Sequence, residues 1–201
     1  MSRILFLTPQ LPHPPHQGAA IRNLNLVKLA SQRHQVAICS FVRDPRENAA
    51  IPVLKQWACD VRTVGAPRRS LAERALWTAF SAQPDMGRRL KSAAFARLIE
   101  DADVVQAEGI EMAQYLASTA AGRVLDCHNA EWLLQRRTCL VDLRERKLLG
   151  AAYSALQWLK LRRYERIACQ RADAVAAVSD EDRQALLALD PLLRVTVIPN
   201  G

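Results

Sequence analysis

The stretch Val124-Leu125-Asp126-Cys127-His128-Asn129-Ala130-Glu131 decides how this chain is read. An apolar run stops there and delivers a histidine, an amide and a carboxylate in quick succession. In an open parallel sheet, side chains just past a strand's carboxyl end face the crevice where ligands bind. His128 is therefore the first candidate for a reacting group, with Asn129 and Glu131 beside the ligand. The same residues also fit a local role, in which Asp126 or Asn129 caps the following helix and His128 is an ordinary loop residue. The stretch alone leaves both open.

On either side of it, short runs rich in Val, Ile and Leu alternate with longer segments of helical period, the pattern of βαβ units around a parallel sheet. Strands are expected over 3–8, 35–41, 60–64, 103–107, 123–126, 174–178 and 195–198. Helices are expected near 18–33, 47–58, 70–80, 86–100, 130–147, 151–171 and 180–189. The expected fold is α/β, a Rossmann-like and mostly parallel sheet of about seven strands with helices on both faces. It fills residues 1–201 as one domain, a length with ample material for a core.

Composition narrows the function. Half the residues are hydrophobic and 24% charged, as in an ordinary globular protein, so disorder and fibrous folds are set aside. The five cysteines are odd in number and show no C-x-x-C spacing, so neither a disulfide framework nor a zinc knuckle is suggested. With that cysteine usage a reducing cytoplasm fits best, and the apolar run at Ile4-Leu5-Phe6-Leu7 is too short for a signal sequence or membrane span before Pro9. The net charge of +8 is uneven. Residues 68–98 carry seven basic side chains against two acidic, and residues 133–171 carry ten against three. A solvated helix face explains either segment. An anionic membrane surface is the alternative, since Trp77 and Phe80 in one segment, and Leu156, Trp158 and Leu159 in the other, sit among the bases. Nucleic acid is not an expected partner, because no RRM, KH or helix-turn-helix signature accompanies the charge.

Several other positions carry chemistry. Pro9, Pro12, Pro14 and Pro15 keep the first strand-to-helix connection extended until Gly18, and so long a loop in a compact domain is a functional candidate. Gly18 lets backbone N–H groups approach a phosphate at the positive end of a helix, and Arg22, one turn in, would add a charge-assisted hydrogen bond. A glycine that merely shapes a turn fits as well; neither G-x-G-x-x-G nor a P-loop occurs. Glu108 ends the run over 103–107 and shares the rim with His128, unless Glu108 and Glu111 only favour the start of the next helix. Ser179, followed by acids, reads as a helix cap rather than a nucleophile, since no G-x-S-x-G surrounds it. His13, His16 and His34 make no metal-ligand spacing, so no metal is expected. The final run ends on Pro199-Asn200-Gly201, a turn that leads onward.

Four pieces now stand in order: Ile4-Leu5-Phe6-Leu7 with the Pro-rich loop and Gly18; Leu125-Asp126-Cys127-His128-Asn129; Ala172-Asp173-Ala174-Val175-Ala176-Ala177-Val178-Ser179; and Val197-Ile198-Pro199-Asn200-Gly201. This set resembles the N-terminal half of a family 4 glycosyltransferase of GT-B architecture. The Pro-Pro-x-x-Gly-x-x-Ile-Arg pattern of residues 14–22 looks most like bacterial sugar transferases of exopolysaccharide and exosortase-associated loci.

The resemblance implies the acceptor-binding half of a retaining, metal-independent transferase that takes a nucleotide-sugar as substrate, without a cofactor. It would act on a sugar or lipid-linked acceptor in cell-surface polysaccharide or glycolipid synthesis. By the same analogy His128 is catalytic, lying beside the transferring sugar. The loop at Gly18 lies near the donor diphosphate or the acceptor, and Arg22, Glu108, Asn129 and Glu131 bind substrate. The sequence departs from the family where many members carry two adjacent glycines and this chain has Gly18-Ala19. The Glu-x7-Glu element of the donor-binding C-terminal domain is absent from these residues, so the domain alone is expected to be inactive. The expected location is cytoplasmic and peripheral on the inner face of the plasma membrane. A non-catalytic Rossmann-like module that binds a nucleotide or glycan is the alternative.

Overall fold

Each expected apolar run forms a strand with its ends shifted by a residue at most: β1 (Arg3–Thr8), β2 (Gln35–Val42), β3 (Asp60–Gly65), β4 (Val104–Glu108), β5 (Gly122–Cys127), β6 (Ala174–Ala177) and β7 (Val195–Val197). These elements come from a computed structural model, which describes residues 1–200 apart from the Ser118 side chain. Gly201, the end of the expected Pro-Asn-Gly turn, lies outside the described residues. The strands pair in parallel in the order β3-β2-β1-β4-β5-β6-β7. Strands covered on both faces read as continuous apolar runs rather than alternating ones, which is why they were legible. The order reverses between β1 and β4, so the crevice beyond their carboxyl ends is the topological switch point of the sheet.

Helices cover the two faces unequally. On one, α1 (Gly18–Ser31) and α2 (Ile51–Leu54) bring Leu24, Val27 and Leu54 against Phe6, Ile38 and Val61. On the other, α4 (Asp85–Arg88), α5 (Ala93–Ala96), α6 (Glu131–Arg144), α7 (Leu148–Arg171) and α8 (Asp180–Leu187) close over a larger core that includes Phe95, Leu125, Ala168 and Leu186. Phe41 and Phe95 stack there with ring centroids 4.3 Å apart. Full burial of side chains this size stabilises by about 1.5–3 kcal/mol each. The remaining helix, α3 (Leu71–Phe80), lies outside this layer and is fastened to α7 through Thr78.

Three helical expectations change in detail. The segment 47–58 is a 3-10 turn (Pro45–Ala50) followed by α2, because Pro52 has no N–H to return to residue 48 and an unbroken α-helix cannot cross it. The segment 86–100 splits into α4 and α5, the second restarting where Ser92 Oγ accepts from the Phe95 N–H at 3.2 Å. The helices expected over 130–147 and 151–171 form an antiparallel hairpin, in which Asp142 meets Ser154 and Glu165 meets the N–H of Glu131. Arg146, with φ of 58°, turns the chain between them.

Candidate active site

Parallel register sets the polar floor of the crevice. Glu108 and Asp126 are register partners at the ends of β4 and β5, so both carboxylates point to the α1 side, as does Gln106 two residues before Glu108. Apolar side chains of the α1-side core fill that face under β3, β2 and β1, but at its upper edge near the switch point it is polar. Glu108 and Asp126 have no exposed surface. Such carboxylates persist only when paired, and α1 supplies the partners. Arg22 donates from Nε to Asp126 Oδ2 at 2.7 Å and from Nη2 to Oδ1 at 2.8 Å. Asn23, with its amide nitrogen turned toward the acceptors, lies 2.8 Å from Glu108 Oε2 and 3.0 Å from the Ala19 carbonyl.

Just past β5, His128 Nε2 sits 3.1 Å from Glu108 Oε2, and Gln106 Nε2 donates to Glu108 Oε1 at 2.7 Å. Burial pushes the Glu108 carboxyl up to about 7, against the pull of the His128 hydrogen bond, while the charge of Asp126 pushes the same way as burial. For His128, burial opposes the imidazolium, but the hydrogen bond and charge of Glu108 with that of Asp126 outweigh it and raise the group above its ordinary value. The two titrate as a pair that holds a proton near neutral pH. With Nε2 committed to Glu108, Nδ1 is the nitrogen left for a ligand. It lies beside Gly109, whose φ of 84° favours glycine, and a Cβ there would stand 3.9 Å from Nδ1.

The loop that carries His128 is clamped from afar. Neither Asp126 nor Asn129 caps α6, whose first residues have no local side-chain cap. Asp182 of α8 accepts from the Ala130 N–H at 2.9 Å. Glu165 of α7, itself without exposed surface, accepts from the Glu131 N–H at 3.1 Å and the Trp132 N–H at 2.9 Å. Burial pushes Glu165 up to about 8, only partly relieved by those two N–H groups. Glu131 is likewise raised by burial, while Asn129 Nδ2 approaches its Oε1 at 3.4 Å. Ser179 caps α8 as expected, accepting from the Asp182 N–H at 3.1 Å.

The α1 terminus is the opposite case. Gln17 makes no side-chain cap, no acid lies in the first turn, and the first N–H with a helical partner belongs to Ile21. A Cβ at Gly18 would meet nothing within 4 Å among the described residues, so packing does not demand glycine there. What glycine leaves is open access to the uncapped, positive end of α1.

Gly18, Arg22, Glu108, His128, Asn129 and Glu131 all line one cleft of about 400 Å³ at the switch point. Arg22 stands apart from the anion contact expected of it. Its guanidinium is taken by Asp126, by the Ile198 carbonyl at 2.6 Å and by Asn200 Oδ1 at 3.0 Å, so it ties α1 to β5 and to the segment after β7. Sequence reasoning missed Asn23, Gln106, Glu165 and Asp182. An asparagine in the interior of an expected helix, where its propensity is poor, was the available signal for Asn23. The clamps join residues 34 and 52 positions apart and left no local signal. The ligand atoms of Glu108, Asp126 and His128 also lie within 4.8 Å of one another. That spacing suits a metal, but both Asp126 oxygens accept from the Arg22 guanidinium, which takes Asp126 out of the donor set and leaves too few ligands to fit one.

A wholly parallel Rossmann-like sheet with a polar cleft at its switch point, an uncapped helix N-terminus on one wall and a carboxylate-held histidine on the other, defines an α/β domain built to bind a ligand at its strand ends. Residues 17–201 match the glycosyl transferase 4-like domain, and the chain belongs to that family. Among solved structures it is similar to a UGT transferase from Siraitia grosvenorii in complex with UDP, at 11% identity and a TM-score of 0.49, over 98% of this chain and 50% of that one. The chain thus spans about half the length of that protein. No curated protein matches it.

Proposed function

We propose that this domain is the acceptor-binding half of a retaining glycosyltransferase that uses a nucleotide-sugar and neither a metal nor a cofactor. The observation that carries the proposal is the arrangement of His128. Glu108 fixes one ring nitrogen of a side chain that lines the same cleft as the uncapped end of α1. A leaving diphosphate needs its charge met, and the N–H groups of Gly18 and Ala19 at the uncapped end of α1, with Arg43 on the rim, offer fixed positive charge for it. His128 Nδ1 would hydrogen-bond a hydroxyl of the transferring sugar, an interaction that strengthens as charge develops. Asn129 and Glu131 lie close enough to orient that sugar, while Arg22 holds the floor beneath it. The resemblance of residues 14–22 supports a sugar or lipid-linked acceptor of cell-surface polysaccharide or glycolipid synthesis.

The test is a transfer assay with a panel of nucleotide-sugars and lipid-linked acceptors, run on residues 1–201 and on the same domain joined to a donor-binding domain. The joined protein gives product and residues 1–201 give none above blank. Multiple-turnover transfer by residues 1–201 contradicts the half-enzyme assignment. Tight ligand binding without transfer by the joined protein would favour a non-catalytic module.

A further inference from the structure

Two loops leave the same end of the sheet side by side. β1 and β2 pair in register up to Thr8 and Ser40, so the Pro-rich connection after β1 and the 3-10 turn after β2 rise as neighbours. A groove runs between them. At its inner end Gln10, Gln17 and Arg43 edge the cleft that holds His128. The same three side chains line a second cavity of about 280 Å³, bounded further out by His13, Pro14 and Glu47. Those three in turn border a third cavity of about 500 Å³ that reaches Ala49 and Val53. The cleft therefore continues beyond the switch point, through two further cavities, as far as α2.

The two acids of this groove are taken up by the turn itself. Asp44 accepts from the Arg46 N–H at 2.9 Å and pairs with the Arg46 guanidinium at 2.5 Å. Glu47 accepts from the N–H groups of Arg43 at 3.3 Å and Asp44 at 3.1 Å. Arg43 gives Glu47 only its backbone N–H, so its guanidinium lines the groove without an acid partner among the described residues. The amides of Gln10 and Gln17 and the imidazoles of His13 and His16 line the same walls. The groups left for a ligand are therefore amides, imidazoles and one guanidinium, which has five donors and no acceptor.

We infer that this groove holds an acidic oligosaccharide acceptor, whose units beyond the reacting sugar carry a carboxylate or a phosphate. The inference rests on the reading of the cleft as a sugar-transfer site and names the class of its acceptor. Chain length follows from volume: the cleft of about 400 Å³ already has the size of a small-molecule site, and the two cavities beyond it give room for further units. Acidity follows from Arg43, whose planar fork matches a carboxylate or phosphate with two parallel hydrogen bonds. It stands where the cleft opens into the groove, so it meets the diphosphate on one side and the first outer unit on the other. Pro14 and Val53 offer apolar surface to the C–H faces of sugar rings. No Trp, Tyr or Phe lines the three cavities among the described residues, so the bases of a nucleic acid would have no ring to stack on.

Binding is measured on residues 1–201 without a donor, so binding and transfer fail separately. Backbone-amide NMR shifts are followed as galacturonate, its dimer and its trimer are added, beside malto-oligosaccharides of the same lengths and trehalose 6-phosphate. The uronate trimer binds at least about tenfold tighter than the single uronate and than the neutral trimer, shifts His13, Arg43 and Ala49, and weakens as salt rises. Trehalose 6-phosphate against the uronate dimer tells phosphate from carboxylate, and either one binding tighter than maltose supports the inference. Arg43→Gln removes most of the advantage of the acidic chain over the neutral one. Ala49→Glu, at an exposed position in the third cavity, cancels the gain from the third unit and leaves thermal unfolding unchanged. Equal affinity for one unit and three, neutral chains bound as tightly as acidic ones, wild-type trimer affinity in Ala49→Glu, or a short oligothymidylate bound as tightly as the trimer overturns the inference. Transfer by the joined protein with no such binding would overturn the groove and leave the transferase standing, whereas this binding without transfer would do the reverse.

Discussion

Glu108 and His128, each just at the end of its own strand, meet 3.1 Å apart across β4 and β5, and the carboxylate has no exposed surface while the imidazole opens on the cleft. The histidine is raised in spite of its burial because Glu108 faces it. Glu108→Gln keeps the shape, removes the charge and leaves Asp126 alone to oppose burial and the Arg22 cation. The pKa of His128 then falls from its raised value. Ring chemical shifts of His128 followed through a pH titration in wild type and variant measure this. A pKa that stays raised in the variant would mean that Glu108 is not its cause.

Arg22 and Asp126 are a buried, two-pronged ion pair between α1 and β5. Arg22→Met leaves Asp126 charged without a partner, which costs about 3–5 kcal/mol. Arg22→Met with Asp126→Leu removes both charges and recovers most of the loss. Urea unfolding of the two variants reads the difference. Equal destabilisation by both would show that packing, not the pair, carries the stability.

Glu165 gives a pH dependence opposite in sign to that of most carboxylates. Its folded value, about 8, lies above the ordinary 4.5, so above pH 4.5 the folded domain keeps a proton that the unfolded chain releases. Stability therefore falls as pH climbs from about 4.5 to 8, and this contribution is level outside that window. Glu108 adds a fall of the same sign that ends near 7. Glu165→Gln cannot titrate and flattens the fall, while His128 and Glu131 lose part of the clamp on their loop. Chemical denaturation at a series of pH values compares the slopes. An unchanged slope in Glu165→Gln would place the proton elsewhere.

Much of this was legible from residue order, and the remainder shows what order omits. Strands covered on both faces appear as unbroken apolar runs, so β1 to β7 could be placed, and strand ends put Glu108 and His128 on one rim. The partner of Arg22 could not be read, since Asp126 lies 104 residues away and a lone arginine beside a glycine suggests a phosphate equally well. The same holds for Glu165, whose role exists only because α7 folds back along α6. Periodicity found α3 but not its orientation, because a helical repeat states that one face is apolar and is silent on what covers it.

The central claim is that His128, presented by Glu108 to the cleft at the switch point, touches the sugar as it transfers. The most direct measurement is kcat for His128→Ala in the domain joined to a donor-binding domain, with folding checked by circular dichroism. Loss of a contact that strengthens in the transition state lowers kcat by about a hundredfold or more and leaves the fold intact. His128→Asn, which keeps a hydrogen-bonding group, recovers part of the loss. A kcat for His128→Ala close to that of wild type would contradict the account and leave His128 an ordinary residue of the loop after β5.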